Sequence, residues 1–210
     1  NANYSSAGAT DAFVVVWYDQ SSNGNDAQQL NAASQPKVVN AGFVVAEGKK
    51  PAVEFDNDKL SLASTIDFIT IGSVINFDGT LANNFITTEE DSVGGIWIGS
   101  TTLSFDGTGS DEARYSINGG TPSTYAENHT ISDYSNNQIL LFANYDSGMN
   151  SSINTIGRYN VPLHYKGTMQ EIILYNSDQS SNRTNIESDI NNHYSIFTPE
   201  LELGLINEFD

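Results

Sequence analysis

Apolar residues in this chain come in short runs, each closed by glycine, asparagine, aspartate or serine, and this rhythm holds over most of its length. Side chains alternate across a strand, so runs of this size and punctuation predict strands joined by turns. Ala12–Tyr18 (AFVVVWY) is apolar on both faces, which predicts a central strand covered on both sides. Pro36–Val39 and Phe43–Ala46 flank a turn at Asn40–Gly42. Ala52–Phe55 and Lys59–Leu62 flank Asp56-Asn57-Asp58, which predicts a hairpin. Ile66–Ile75 reads as one long alternating strand. Asn84–Thr88, Gly95–Gly99, Thr102–Phe105, Ala113–Ile117, Ile139–Tyr145, Ser152–Ile156 and Met169–Tyr175 follow. Many strands with short connections predict an all-β, antiparallel sandwich rather than an α/β fold.

One helix interrupts the pattern, from about Ser180 to Tyr194, after the capping-type residues Ser177 and Asp178. Ile186, Ile190 and Tyr194 fall on one stripe, and the little else that is apolar there predicts packing at the sandwich edge. The acidic segment Thr198–Asp210 opens with a proline and reads as a linker, an added edge strand or a contact to a further domain. The expected organisation is one domain over 1–197 and a tail over 198–210.

The chain has 210 residues, enough to bury a core without staples, and it has no cysteine. With 26 acidic and 8 basic residues the formal net charge is -18. Nucleic-acid binding needs a basic stripe to displace counterions, and the basic residues here are scattered. The same balance disfavours an anionic membrane surface. No apolar run reaches the length of a membrane-spanning helix. The chain opens at Asn1 rather than Met, so a processed or excised origin is expected. The acidity fits an extracellular, cell-surface or virion-surface setting and suits oxygen ligation of calcium.

Four segments occur in order: Trp17-Tyr18-Asp19-Gln20-Ser21-Ser22-Asn23-Gly24-Asn25-Asp26; Gln35-Pro36-Lys37; Lys50-Pro51-Ala52-Val53-Glu54-Phe55-Asp56 with Leu60; and Tyr165-Lys166-Gly167-Thr168-Met169-Gln170-Glu171-Ile172-Ile173-Leu174-Tyr175-Asn176. The ordered set resembles the concanavalin A-like, LamG-type jelly-roll superfamily, in which the last segment is the closing strand before a short helix. The opening block also resembles the catalytic domain of fungal-type α-L-arabinofuranosidases, and similar blocks occur in bacteriophage tail, fibre and head-decoration proteins and in bacterial surface proteins. The resemblance implies a jelly roll with one C-terminal helix; function on such a fold rests on a site. In the arabinofuranosidases an acid/base aspartate stands in a Gly-Gly-Asp-Asn stretch. The matching stretch here is Ile156-Gly157-Arg158-Tyr159-Asn160, with tyrosine in that place. The nucleophile's strand matches the one bearing Trp97, where no carboxylate follows until Asp106.

Asp19, Ser21, Asn23, Gly24 and Asn25 mimic the first half of an EF-hand loop, but Leu30 occupies the position of the bidentate glutamate. Asp19, Asn23 and Asp26, or Asp56 and Asp58, are therefore candidate ligands of a calcium of another type. The same residues also build plain turns. Glu54, Asp56 and Asp58 alternate and would share one face of a strand; a glycosidase needs two such carboxylates, whereas a turn needs only an Asx run. His129, His164 and His193 lie far apart and make no metalloprotease motif.

Sugars are held by flat aromatic faces together with amide, carboxylate and guanidinium groups. Trp97, Tyr115, Tyr145, Tyr159 and Tyr125 lie on or beside late strands, next to Arg114, Asn144, Arg158, Asn118, Asp111 and Asp146. The expected site is Trp97, Arg114, Tyr115, Asn144, Tyr145, Arg158 and Tyr159, with no catalytic residue. The expected function is a non-catalytic module that binds a glycan or cell-surface polysaccharide, within a larger surface or phage virion protein and beside neighbouring domains or subunits. The alternatives are a purely structural assembly protein and a glycoside hydrolase.

Overall fold

The computed structural model describes residues 10–79, 83–88, 95–99, 103–106, 113–124, 131–145, 151–160 and 163–198. Every strand pairing is antiparallel. The first sheet runs, in spatial order, Ala12–Phe13, Lys37–Asn40, Val53–Asp56, Lys166–Tyr175, Thr70–Phe77, Ile139–Tyr145, Ala113–Ile117 and Ser123–Thr124, with Phe43–Val44 beside Lys37–Asn40. The second runs Leu103–Asp106, Gly95–Gly99, Asn83–Thr88, Ser151–Ile156, Leu60–Phe68, Ala27–Gln28 and Val16–Trp17. The molecule is an all-β sandwich with one short C-terminal helix.

Strand alternation sets the core. In Ile139–Tyr145 the odd residues Ile139, Leu141, Ala143 and Tyr145 join a cluster with Ile71, Ile75, Ala113 and Tyr115 of the same sheet. Facing them are Leu60, Phe68, Ile86, Ile96, Ile98 and Ile153 of the second sheet. Phe68 and Tyr145 meet edge to face across the gap, 5.9 Å between ring centroids, a favoured aromatic geometry. The even residues point the other way. Val74 and Leu140 form a second cluster with Ile190 and Tyr194 of the helix Arg183–Tyr194. Ile190 packs over Gly72, where a Cβ would stand in ordinary contact, 3.6 Å from Ile190 Cδ1. The helix thus covers the outer face of the first sheet rather than the sandwich edge. A 3-10 turn, Ser180–Asn182, leads into it, and Asp178 Oδ1 accepts the Ser180 N–H at 2.7 Å.

Three strand expectations change in the structure. Ala12–Tyr18 is not one central strand. Ala12–Phe13 edges the first sheet and Val16–Trp17 edges the second, so the run is apolar because it crosses between sheets. Asp56-Asn57-Asp58 does not close a hairpin. It carries the chain from Val53–Asp56 in the first sheet to Leu60–Phe68 in the second, with Asn57 at φ 65°. Ile66–Ile75 likewise splits at Ile69 into strands of opposite sheets. Met169–Tyr175 lies within an interior strand, as expected, here extended to Lys166.

Candidate functional site

Among the late-strand aromatics, Tyr115 and Tyr145 do not reach the surface. Tyr145 is fully buried and Tyr115 nearly so, both on the inner face of the first sheet. Asn144 is buried on the outer face, where its Oδ1 accepts from Thr70 Oγ1 and from the Gln179 N–H at 3.1 Å, while its side-chain amide donates to the Tyr145 carbonyl at 2.8 Å. It ties the segment before the helix to the sheet. Tyr115, Tyr145 and Asn144 are therefore core or anchoring residues and cannot reach a ligand. Arg114 is exposed on the outer face. Arg158 is half-buried at the crossing below Asn57, whose carbonyl accepts from its guanidinium at 3.4 Å. Asn118 is a turn residue at φ 54°, its Oδ1 accepting the Leu140 N–H at 2.9 Å. The side chains of Trp97 and Tyr159, and residues Asp111, Tyr125 and Asp146, lie outside the described residues.

The opening block is a self-bonded loop. Asp19 Oδ1 accepts the Ser21 N–H at 2.7 Å and the Ser21 hydroxyl at 2.6 Å, and Oδ2 accepts the Asn25 N–H at 2.9 Å. Asp26 Oδ1 accepts the Asp19 N–H at 2.8 Å. Ser22 at φ 71° and Gly24 at φ 76° turn the chain between them. The Ser21 hydroxyl, then the Asn25 and Ser21 N–H groups, hold the Asp19 carboxyl below its usual range. Asp58 Oδ2 accepts the Asp56 N–H at 2.9 Å, and burial raises its carboxyl above the usual range. No group of three or more acidic or imidazole side chains converges on a cation position among the described residues. Asp19, Asp26 and Asp58 thus accept from N–H groups of their own loops, and Asn23 donates its side-chain amide to the Ser21 hydroxyl.

That loop has a second consequence: it edges a cleft of about 940 Å³ between the sheets. One wall is Gln170–Tyr175 of the closing strand; the other is Leu62, Ile66, Asp67 and Ile153. Trp17 and Tyr194 also line it. Tyr18 is 50% exposed at the loop, beside Asn23 and Asn25. Every charged residue lining the cleft is acidic: Asp19, Asp67 and Glu171. Burial, then the charge and hydrogen bond of Glu171, push the Tyr194 phenol well above its ordinary range, so it stays a neutral donor. Sequence reasoning had placed Tyr18, Asn23 and Asn25 within a motif but not beside a cleft. The signal was their position at the end of a run apolar on both faces. Comparison with known proteins yields no matching family model, no matching curated protein and no matching solved structure.

Proposed function

We propose that this chain is a non-catalytic carbohydrate-recognition module of a larger surface or virion assembly, binding a glycan at the cleft bordered by the Tyr18–Asn25 loop. The observation that carries the reading is the company Tyr18 keeps. Tyr18, half exposed, lines the cleft together with Asn23, Asn25, Asn176 and Trp17. Sugar rings present an apolar face and a polar rim, and this grouping offers a partner to each. The acidic lining favours neutral or amino sugars over uronates. Asp19 is engaged by three loop donors, which suits a positioning role rather than proton transfer.

A glycan array run with the whole chain, with and without calcium, is expected to return neutral or amino-sugar ligands. Tyr18→Ala should weaken binding at least tenfold, about 1.4 kcal/mol, with the melting temperature little changed because Tyr18 is half in solvent. An empty array, or full affinity in the variant, would sink the reading.

A further inference from the structure

Both sheets are incomplete along the same cleft. The strand Lys166–Tyr175 is bonded to Thr70–Phe77 from Gly167 to Tyr175, but on its other side Val53–Asp56 pairs only with Lys166–Met169. Beyond that point the neighbouring chain departs as a hairpin of Ala46–Glu47 and Lys50–Pro51. The carbonyls of Glu47, Lys50 and Pro51 accept from the Gln170 side-chain amide at 3.1–3.2 Å. Glu171–Tyr175 then have no strand on that side among the described residues. Across the cleft, Leu60–Phe68 is flanked by Ser151–Ile156, while Ala27–Gln28 meets only Ser61 and Leu62 on its other side. Ala63–Phe68 have no strand there among the described residues. Alternate residues of an antiparallel strand turn their N–H and C=O groups to each neighbour, so an edge like this is a ready template for pairing.

We infer that this edge is a strand-addition site, taking an extended segment of a partner protein with alternating apolar side chains and lysine or arginine at its ends. Three observations define that occupant. Glu171–Tyr175 offers about 17 Å of edge at ~3.4 Å per residue, enough for a strand of about five residues. Leu62, Ile66, Ile172, Leu174 and Trp17 pack against the core yet are only partly buried, so inward apolar side chains have a surface to cover. The charged lining is wholly acidic, which attracts basic ends and repels two rivals: a second copy of a chain of net charge -18, and the segment bearing Glu200 and Glu202. In strand addition the main chain supplies affinity and alternate side chains supply specificity. The inference goes beyond the glycan reading and does not depend on it.

The probe is a synthetic peptide, KVTVTVK, added to the whole chain at low salt. Amide exchange at 171–175 is expected to slow at least tenfold at saturation. An EVTVTVE peptide should bind at least tenfold more weakly. A KVTVTVK peptide N-methylated at alternate residues, which removes one edge of donors, should not bind. Asp67→Lys should narrow the preference for lysine ends over glutamate ends, a shift that a merely structural Asp67 would not produce. Unchanged exchange at 171–175, or equal binding of the methylated peptide, overturns the proposal. So does self-association that the peptide blocks, which would assign the edge to a second copy. A sugar that binds without slowing exchange at 171–175 leaves the two readings separately scored.

Discussion

At the scale of single residues, the start of the closing segment, Tyr165 to Gly167, is explained by folding. Tyr165 is fully buried, its hydroxyl lies 2.9 Å from the Asn76 carbonyl, and its ring meets Phe55 edge to face at 6.2 Å. Two residues on, Gly167 has φ 141°, and a Cβ there would stand 2.0 Å from the Asn76 carbonyl oxygen and 2.9 Å from Phe77 Cα. Backbone cannot retreat as a flexible side chain does. Gly167→Ala should therefore cost about 3–5 kcal/mol, from a disfavoured φ and from overpacking. At this chain length that lowers the melting temperature by roughly 10 °C. Gly42 is the control. It has φ 85° but nothing within 4 Å, so Gly42→Ala should cost only about 1 kcal/mol. Equal losses in the two thermal melts would show that φ, not the Asn76 contact, decides. The same scale shows why Tyr115 and Tyr145 could not be assigned to the core from sequence. Alternation assigns Tyr115 and Tyr145 to the face opposite Arg114 and Asn144, but it does not say which face is inside. Both tyrosines face the second sheet, and the helix packs on the other face at Val74 and Leu140.

At the scale of elements, strand positions were legible and strand partners were not. Turn residues mark where a strand stops, yet an Asx-rich turn serves a hairpin and a sheet-to-sheet crossing alike. Asp56-Asn57-Asp58 is the second kind, as is the break at Ile69. The rule that a run apolar on both faces is central holds for Ile139–Tyr145, buried at every residue, and fails for Ala12–Tyr18. The helix was legible from its Ile186–Ile190–Tyr194 stripe, but its seat was not, since Val74 and Leu140, on which it packs, are remote in sequence. Its first turns are also held by polar groups. Glu187 is buried, accepting from Ser116 Oγ at 2.5 Å and from the Arg183 guanidinium at 2.5 Å. Burial raises its carboxyl above the usual range despite both partners, which pull it down. A carboxyl raised on folding contributes stability that is full below its unfolded value and is lost as pH rises through the folded value. Half-buried Asp19 and exposed Asp178, both lowered, contribute the opposite trend at acid pH. Glu187→Gln isolates the first term. Denaturant titrations across pH 4 to 7 should show the variant gaining on the parent as pH rises. A difference that is flat, or that slopes the other way, would mean that Arg183 outweighs burial.

At the scale of the whole molecule, 26 acidic residues against 8 basic ones leave a sandwich held by its core and strained by its own charge. Among the described residues the ion pairs lie largely at the surface, such as Lys37 with Asp11 at 3.1 Å and Lys166 with Asp78 at 3.3 Å. Such pairs contribute little each, so they do not offset the excess. Screening does: the Debye length falls from about 30 Å at 0.01 M to about 10 Å at 0.1 M salt, shorter than most separations across a domain of this size. The melting temperature is accordingly expected to rise between those concentrations. Calcium sharpens the test. A cation held in a built site stabilises the native state by about 2.7 kcal/mol at a hundredfold excess over Kd. At this chain length that is roughly 5–10 °C, saturable and reversed by a chelator. Asp19, Asp26 and Asp58 turn their carboxylates onto N–H groups of their own loops, and neither loop brings a third acidic group to a shared point among the described residues. Calcium should therefore act only as a screening ion. Calcium, magnesium and sodium chlorides at matched ionic strength should raise the melting temperature alike, to within about 1 °C in scanning calorimetry. A calcium-specific, saturable increment, abolished by Asp19→Asn and unaffected by Asp189→Asn, an exposed position on the helix, would restore the loop as a metal site and reverse this account of its carboxylates.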